Sequence, residues 1–364
     1  MDTISRRTTA IAAAGLVTAF LAGCTSSVVG SAEAGPPPPT TKRVVPTSVS
    51  AKSAAEETNR VITSEAGAAL MAKLRASDVC QSLDPEPMKK FGDPQTVFMG
   101  PGLSGCKIRS GNSGTEVPTH RFEISPKVYT DIDRAKDDEF DVAGHKVYQA
   151  KGAGSEGSCS AYLPIEDTGY AFVVSGYKSK GAWPEACADA RAYAGAIAKK
   201  LLAMPARTTP LTGKTLIDKD PCATRQQLLG EFPGWSSQGL PGRYHPHGCR
   251  IALTKPGDPY SYTVNVLYQY NVEQEVTADT PAVTIAGLSG IRLNKPFMDL
   301  PESCSVNLTY KPSDPKGSIT GHLISVDLSP TQLNPQLGQK APPQSLKPCE
   351  VVDKMAATVV GNLG

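Results

Sequence analysis

Few residues of this chain have the types and spacing that chemistry requires. His245-Pro246-His247, with Cys249 close by, holds two imidazoles on a rigid turn and could bind a soft metal ion. A structural or solvent-exposed loop is the favoured interpretation, because no third ligand is evident and Cys249 is better used in a disulfide. We therefore predict no metal site.

Nucleophilic catalysis has no better support in the sequence. Ser175-Gly176 and Ser289-Gly290 do not form the Gly-x-Ser-x-Gly elbow that exposes a catalytic serine. Gly100 to Gly105 lacks the spacing of a phosphate-binding loop and precedes a strand, so it is predicted to be an ordinary loop. We expect no catalytic residue and no cofactor, and therefore no enzyme.

Cysteine is the clearest chemical signal, with nine copies in 364 residues. Setting Cys24 aside leaves an even set of eight, which in an exported, oxidising compartment predicts four disulfides. No two cysteines have the close spacing of a zinc knuckle. The eight disulfide candidates are Cys80, Cys106, Cys159, Cys187, Cys222, Cys249, Cys304 and Cys349.

Cys24 has a different use. It ends Leu21-Ala22-Gly23-Cys24, behind the basic Arg6-Arg7 pair and an apolar run from Thr8 to Ala22, and this arrangement resembles a bacterial lipobox. The apolar run is shorter than the ~20 residues that span a bilayer. We expect residues 1–23 to be a signal peptide and Cys24 to carry S-diacylglycerol and an N-acyl chain. Several acyl chains anchor a protein stably, on the extracytoplasmic face of the cell membrane.

Residues 24–53 form a lipidated, Pro/Ser/Thr-rich tether in this interpretation. Four consecutive prolines, Pro36 to Pro39, stand among small polar residues that cannot bury a core. Such a segment reaches roughly 30 Å as a coil and roughly 80 Å when extended. It should hold the folded part away from the membrane.

The eight remaining cysteines divide into two sets with similar spacing. The intervals are 26, 53 and 28 residues from Cys80, and 27, 55 and 45 residues from Cys222. The Pro-rich stretch Ser329 to Pro348 lengthens the last interval. Val142-Ala143-Gly144 and Ile285-Ala286-Gly287 precede the third cysteine of each set. We infer a tandem repeat: a first domain over 54–206, a linker over 207–215 and a second domain over 216–364.

The sequence pattern of each repeat predicts five strands and a closing helix. The closing helices begin near Cys187 and Pro348, and an opening helix is expected from Glu56 to Arg75. The strand-like runs are 106–109, 121–125, 146–150, 159–164 and 170–175, then 249–253, 261–270, 290–293, 304–309 and 323–328.

The fold class that follows is α+β, with two tandem domains. Each should be a mainly antiparallel five-stranded sheet flanked by N- and C-terminal helices and stapled by two disulfides. Pairing of sequence neighbours, Cys80 with Cys106 and Cys159 with Cys187, is the first expectation. Four cysteines allow three pairings, and the sequence does not choose among them.

The composition limits the classes of partner that we expect. The formal net charge is +2, from 37 basic and 35 acidic residues, and no basic patch is interleaved with aromatic residues, so nucleic acid is not expected. One strand face carries four tyrosines, Tyr260, Tyr262, Tyr268 and Tyr270. They could line a ligand groove, but we favour packing in a sheet core.

The chain resembles the actinobacterial, mycobacterial-type lipoproteins of unknown function that carry a four-cysteine envelope domain. The resemblance rests on Asp220-Pro221-Cys222, on Gly105-Cys106 and Gly248-Cys249, and on the helix that begins at Ala186. It implies an envelope location and an α+β fold. It implies no activity.

These observations predict a membrane-anchored envelope lipoprotein with a non-enzymatic binding or scaffold role. Its partner would be an envelope protein, a glycan or a lipid. The alternatives are a lipid or glycolipid carrier with an apolar cavity between sheet and helices, and an extracytoplasmic sensor module.

Overall fold

A computed structural model of the chain describes residues 51–94, 98–99, 102–110, 120–150, 157–179, 183–208, 211, 213–237, 242–270, 276–295, 302–312, 321–333 and 343–363. Cys24, the expected signal peptide and the expected tether up to residue 50 lie outside these ranges. We call residues 51–208 the first half and residues 211–363 the second half. None of the helices described is long and apolar enough to span a membrane.

The first half contains one antiparallel sheet of seven strands in the order β1-β2-β3-β7-β6-β5-β4. Burial alternates along 106–110 and 158–165, as a sheet with one covered face requires. The strands are β1 (Phe98–Met99), β2 (Cys106–Ser110), β3 (His120–Val128), β4 (Asp138–Val142), β5 (His145–Gln149), β6 (Ser158–Ile165) and β7 (Tyr170–Lys178).

The second half repeats this topology. Its order is β8-β9-β10-β14-β13-β12-β11, so each strand has a counterpart at the same place in the first sheet. Burial alternates without interruption over all of β10. The strands are β8 (Ser236–Ser237), β9 (Gly248–Thr254), β10 (Tyr260–Tyr270), β11 (Ala282–Ile285), β12 (Leu288–Lys295), β13 (Ser303–Lys311) and β14 (His322–Gln332).

The same tight hairpin joins the outer strands of both sheets. Ala143 and Gly144 between β4 and β5, and Ala286 and Gly287 between β11 and β12, all have positive φ angles, from 48° to 81°. Two successive left-handed residues make the turn whose twist matches that of the strands. The repeated Ala-Gly pair in the sequence therefore marks one structural feature twice.

Helices cover one face of each sheet. In the first half α5 packs on β5, β6 and β7, and in the second half α7 packs on β13 and β14. Ala194, Ile197 and Leu201 of α5, and Met355 and Val359 of α7, are fully buried. The helices are α1 (Ala51–Ile62), α2 (Glu65–Ala76), α3 (Pro85–Met88), α4 (Asp131–Lys136), α5 (Trp183–Ala203), α6 (Arg225–Gly230) and α7 (Pro348–Gly361).

Four disulfides tie the sheets to their flanking segments, and they join sequence neighbours as expected. The pairs are Cys80–Cys106, Cys159–Cys187, Cys222–Cys249 and Cys304–Cys349, with Cα separations of 5.4, 4.9, 5.1 and 5.0 Å. The second and fourth pairs hold α5 and α7 to the central strands β6 and β13. The helix-covered face is thus fixed covalently in both halves.

The expected five strands per sheet are wrong, because each sheet has seven. The missed strands are the same two in each half: β1 and β8 have two residues each, and β4 and β11 have few buried residues. Strands this short or this exposed lack the alternating apolar pattern that identifies a strand in sequence.

The helical flanks also differ from expectation. The prediction of a single opening helix over Glu56 to Arg75 is wrong, because α1 ends at Ile62 and a second helix, α2, begins at Glu65. Ser64 then caps α2, with its Oγ accepting a hydrogen bond from the amide of Gly67 at 2.9 Å. In the second half, a 3₁₀ turn (Pro221–Thr224) and the six-residue α6 stand where an opening helix was expected.

Candidate functional site

Each sheet has an open face, formed by the alternate residues that point away from its helix. The partly exposed side chains of the first open face include Lys107, Arg121, Glu123, Ser125, Ser160, Tyr162, Ser175 and Tyr177. Those of the second include Thr263, Asn265, Leu267, Ser305, Asn307, Ser325, Asp327 and Ser329. Tyr162 packs against the buried Tyr129, Tyr148 and Ala171. The other side chains of these two sets belong to no hydrophobic core and can serve binding.

The two halves meet along a polar seam. Ser104 and His247 occupy equivalent positions, each two residues before a disulfide cysteine, and Ser104 Oγ lies 2.6 Å from His247 Nδ1. The other ring nitrogen of His247 lies 2.6 Å from the carbonyl oxygen of Ile217. His247 is 1% exposed, and burial lowers its pKa to about 3, so its imidazole is neutral at pH 7.

Charged side chains extend the seam. The buried Arg75 donates a hydrogen bond to the carbonyl of Pro246 at 2.8 Å and lies 3.4 Å from the carboxylate of Asp220. Tyr170 Oη donates to the carbonyl of Arg243 at 2.6 Å. Each of these contacts joins the first half to the second, so the open faces are held in a fixed relation by buried hydrogen bonds.

A cleft of about 320 Å³ lies beside this seam, where the open faces approach each other. It is mostly apolar, with a few polar groups that converge on it, which is typical of a ligand site between two structural units. Its lining comprises the loop 102–105, Glu123, Ser125 and Pro126 of β3, His245, and Leu267 and Gln269 of β10. We call it the seam cleft.

The seam cleft carries little net charge. Glu123 is the acidic residue of its lining, and Lys107 lies 3.0 Å from the Glu123 carboxylate. Burial lowers the pKa of His245 to about 4, so this ring is also neutral at pH 7. The cleft is therefore suited to an uncharged ligand with an apolar part.

Two larger grooves have fewer features of a binding site. One, of about 430 Å³, lies between α1 and the β9 region, and its lining combines small residues such as Ala54 and Ala252 with Ile62, Tyr244 and Arg250. The other, of about 550 Å³, lies beside the segment that joins the halves and includes Leu211 and Lys214. Neither one combines residues from both open faces.

The predicted candidates fall in three places. Ser175 lies on the first open face, where its hydroxyl is 2.8 Å from that of Ser160, and Ser289 lies on β12, where it pairs with Thr284 of β11. The tyrosines of β10 are at most 3% exposed, which confirms the core interpretation. His245 and His247 lie at the seam, and within the described residues no cluster of three or more His, Cys, Asp or Glu could hold a metal ion.

The seam cleft was not predicted from the sequence. The loop at Gly100 to Gly105 was expected to be ordinary, yet residues 102–105 line the cleft. No local pattern connects Ser104 with His247, because 143 residues separate them. The one available signal is their equivalent position before the two Gly-Cys pairs.

Comparison with known proteins identifies the family. The chain belongs to a family described as protein of unknown function (DUF3558), whose model matches residues 19–200. No curated protein and no solved structure matches the chain.

Proposed function

We propose that this chain is a membrane-anchored protein of the cell envelope that binds a ligand in the seam cleft without transforming it. The observation that carries the proposal is the meeting of two open sheet faces at a mostly apolar cleft with converging polar groups. Buried hydrogen bonds of the seam hold this cleft in a preformed shape, which lowers the entropy cost of binding.

The lipobox at Cys24 supports the membrane part of the proposal, and four disulfides agree with an oxidising compartment outside the cytoplasm. A non-enzymatic role fits the serine and histidine environments. Ser175 pairs with another serine, and His247 is fully committed within the seam.

Lipid carriage between sheet and helix has no comparable support. The side chains that separate α5 and α7 from their sheets fill that space, as shown by the full burial of Ile197, Leu201, Val352 and Met355. A lipid chain would have to displace these buried side chains, because protein interiors contain few voids larger than a water molecule.

Membrane fractionation tests the anchor. Cys24→Ala should move the full chain from the membrane to the soluble fraction without changing its thermal unfolding midpoint, because residue 24 lies outside both sheets. Persistent membrane association of Cys24→Ala would contradict the anchor.

Native mass spectrometry of the full chain, purified in detergent from its own membranes, tests the cleft. We expect a bound small molecule that is lost in Gln269→Trp, whose indole fills the cleft. Thr263→Trp is the matched control, because it lies on the same face of β10, six residues and about 20 Å away. Retention of the molecule by Gln269→Trp, or its absence from the unmodified chain, would contradict binding in the seam cleft.

A further inference from the structure

A further cavity, of about 210 Å³, lies on the first open face. Ser158, Ser160 and Tyr162 of β6 and Ser175 and Tyr177 of β7 supply its polar lining. We call it the serine–tyrosine pocket. Five hydroxyl groups in so small a space form a surface that can both donate and accept hydrogen bonds.

Among the residues that the structure describes, those that line this pocket carry no charge. Burial raises the pKa of Tyr162, so its phenol stays protonated at pH 7. The hydroxyl oxygens of Ser160 and Ser175 lie 2.8 Å apart and share one hydrogen bond. A hydroxyl can form more than one hydrogen bond, so both serines can also bond to a ligand.

The tyrosine rings are held rigidly. Tyr162 stacks on Tyr129 with a centroid distance of 4.6 Å and an interplanar angle of 7°. Tyr129 in turn donates a hydrogen bond to the buried carboxylate of Asp137 at 2.7 Å. The guanidinium of Arg121 lies 4.0 Å from the centre of the Tyr177 ring. Rigid aromatic rings give contact area at low entropy cost.

The strand register connects this pocket with the seam cleft. Glu123 of β3 pairs with Ser175 of β7, and Ser175 pairs with Ser160 of β6. Neighbouring strands lie ~4.8 Å apart, so this row carries polar side chains from the cleft into the pocket over about 10 Å. The site is therefore elongated across the strands.

We propose that the serine–tyrosine pocket binds a neutral glycan, with its hydroxyls bonded to the serines and a sugar ring against a tyrosine. The proposal rests on the proposed binding function and specifies its ligand class. An uncharged lining that offers hydroxyl groups and rigid rings complements a ligand that is uncharged, rich in hydroxyls and apolar on its ring faces.

The second half lacks such a site, although its fold is the same. Ser303, Ser305 and Ser329 retain hydroxyl groups, but Asn307 stands at the position of Tyr162, and Asp327 stands at the position of Ser175. Asp327 is a carboxylate that accepts hydrogen bonds from Asn265 and Ser329 at 2.8 to 3.1 Å. A charged acceptor without a neighbouring ring does not match a neutral sugar.

Saturation-transfer NMR and calorimetric titration of the full chain with chitotriose and maltotriose test the proposal. We expect one of these neutral trisaccharides to bind, and Ser160→Leu to weaken its binding at least about tenfold by filling the pocket. Ser305→Leu, the equivalent change in the second sheet, should leave affinity within about twofold. Tyr162→Phe, which keeps the ring and its stacking, should weaken binding by about three- to tenfold through one lost hydrogen bond.

The proposal is overturned if neither trisaccharide binds, if Ser305→Leu weakens binding as much as Ser160→Leu, or if trigalacturonate or trialanine binds more tightly than the neutral sugars. Unchanged thermal midpoints of the variants establish that they are folded. The Gln269→Trp experiment is independent of the sugar titrations. If that variant retains the bound molecule, binding in the seam cleft is contradicted. If only sugar binding is absent, only the proposal of a glycan ligand is contradicted.

Discussion

The helix-covered faces of the two sheets can be compared position by position, because the disulfides and the strand register align them. Ile108 corresponds to Ile251, Val174 to Val326 and Leu163 to Leu308, and all six side chains are at most 1% exposed. The open faces differ at several positions. Arg121 corresponds to Thr263, Glu123 to Asn265 and Tyr162 to Asn307.

This contrast separates what the fold requires from what binding uses. A covered face must exclude water and pack closely, so few changes are tolerated there. An open face can change without that cost. We infer that the halves share a scaffold, and we propose that recognition belongs to the first open face and the seam cleft.

Loss of a disulfide should give the largest effect, and it should be similar in both halves. Replacing both cysteines of Cys159–Cys187 or of Cys304–Cys349 with Ala opens loops of 28 and 45 residues. The chain-entropy estimate gives a loss of roughly 4 kcal/mol in either case. Urea unfolding of the two double variants measures it. Loss of stability in only one half would contradict an equivalent scaffold.

Truncation on the covered faces should be the next largest effect. Leu163→Ala and Leu308→Ala each leave a cavity under a helix and should cost about 2 to 5 kcal/mol. The open-face changes Ser160→Ala and Ser305→Ala should cost less than about 1 kcal/mol, since neither creates a core cavity. Chemical denaturation compares the four variants. An open-face change as costly as a leucine truncation would break the distinction between the faces.

Acid should destabilise the second half more than the first. Burial lowers the pKa of His247 to about 3 and that of His322 to about 4, whereas the equivalent first-half residues are Ser104 and Tyr170. Below pH 6.5 these two histidines bind protons in the unfolded chain, whereas their buried imidazoles stay neutral in the folded protein. Stability is therefore fully present above pH 6.5 and falls toward pH 4, by up to about 1.4 kcal/mol per pH unit for each histidine.

Unfolding free energies measured from pH 7.5 to pH 4 test this prediction. His322→Gln keeps an acceptor for the amide of Leu216, which donates to His322 Nδ1 at 3.0 Å. This variant should show a shallower loss of stability with acid. If the unfolding free energy of this variant depends on pH as steeply as that of the unmodified chain, His322 does not take up a proton on unfolding, and the prediction is contradicted.

The sequence was sufficient for the features that are local or periodic. The cysteine intervals predicted two four-cysteine sets, and the β-branched and aromatic residues of 249–253 and 261–270 predicted the strands β9 and β10. The apolar stripes that begin near Cys187 and Pro348 predicted α5 and α7. Each of these features arises from neighbours in sequence, or from a period of two or 3.6 residues.

Features that depend on tertiary contact were missed. The edge strands β4 and β11 pair through their backbones and have little apolar alternation, so their positions became visible only through their partners. His247 was noticed for its chemistry, but its hydrogen bonds to Ser104 and Ile217 arise from the packing of one half on the other. The seam cleft follows from that packing and has no linear motif.

Hydrogen exchange of the full chain, with and without a saturating neutral trisaccharide, most directly tests whether recognition belongs to the first open face and the seam cleft. We expect slower exchange in β6, β7 and the loop 102–105 on binding, with the equivalent strands β13 and β14 unchanged. Slower exchange confined to β13 and β14, or to α5 and α7 on the covered faces, would contradict it.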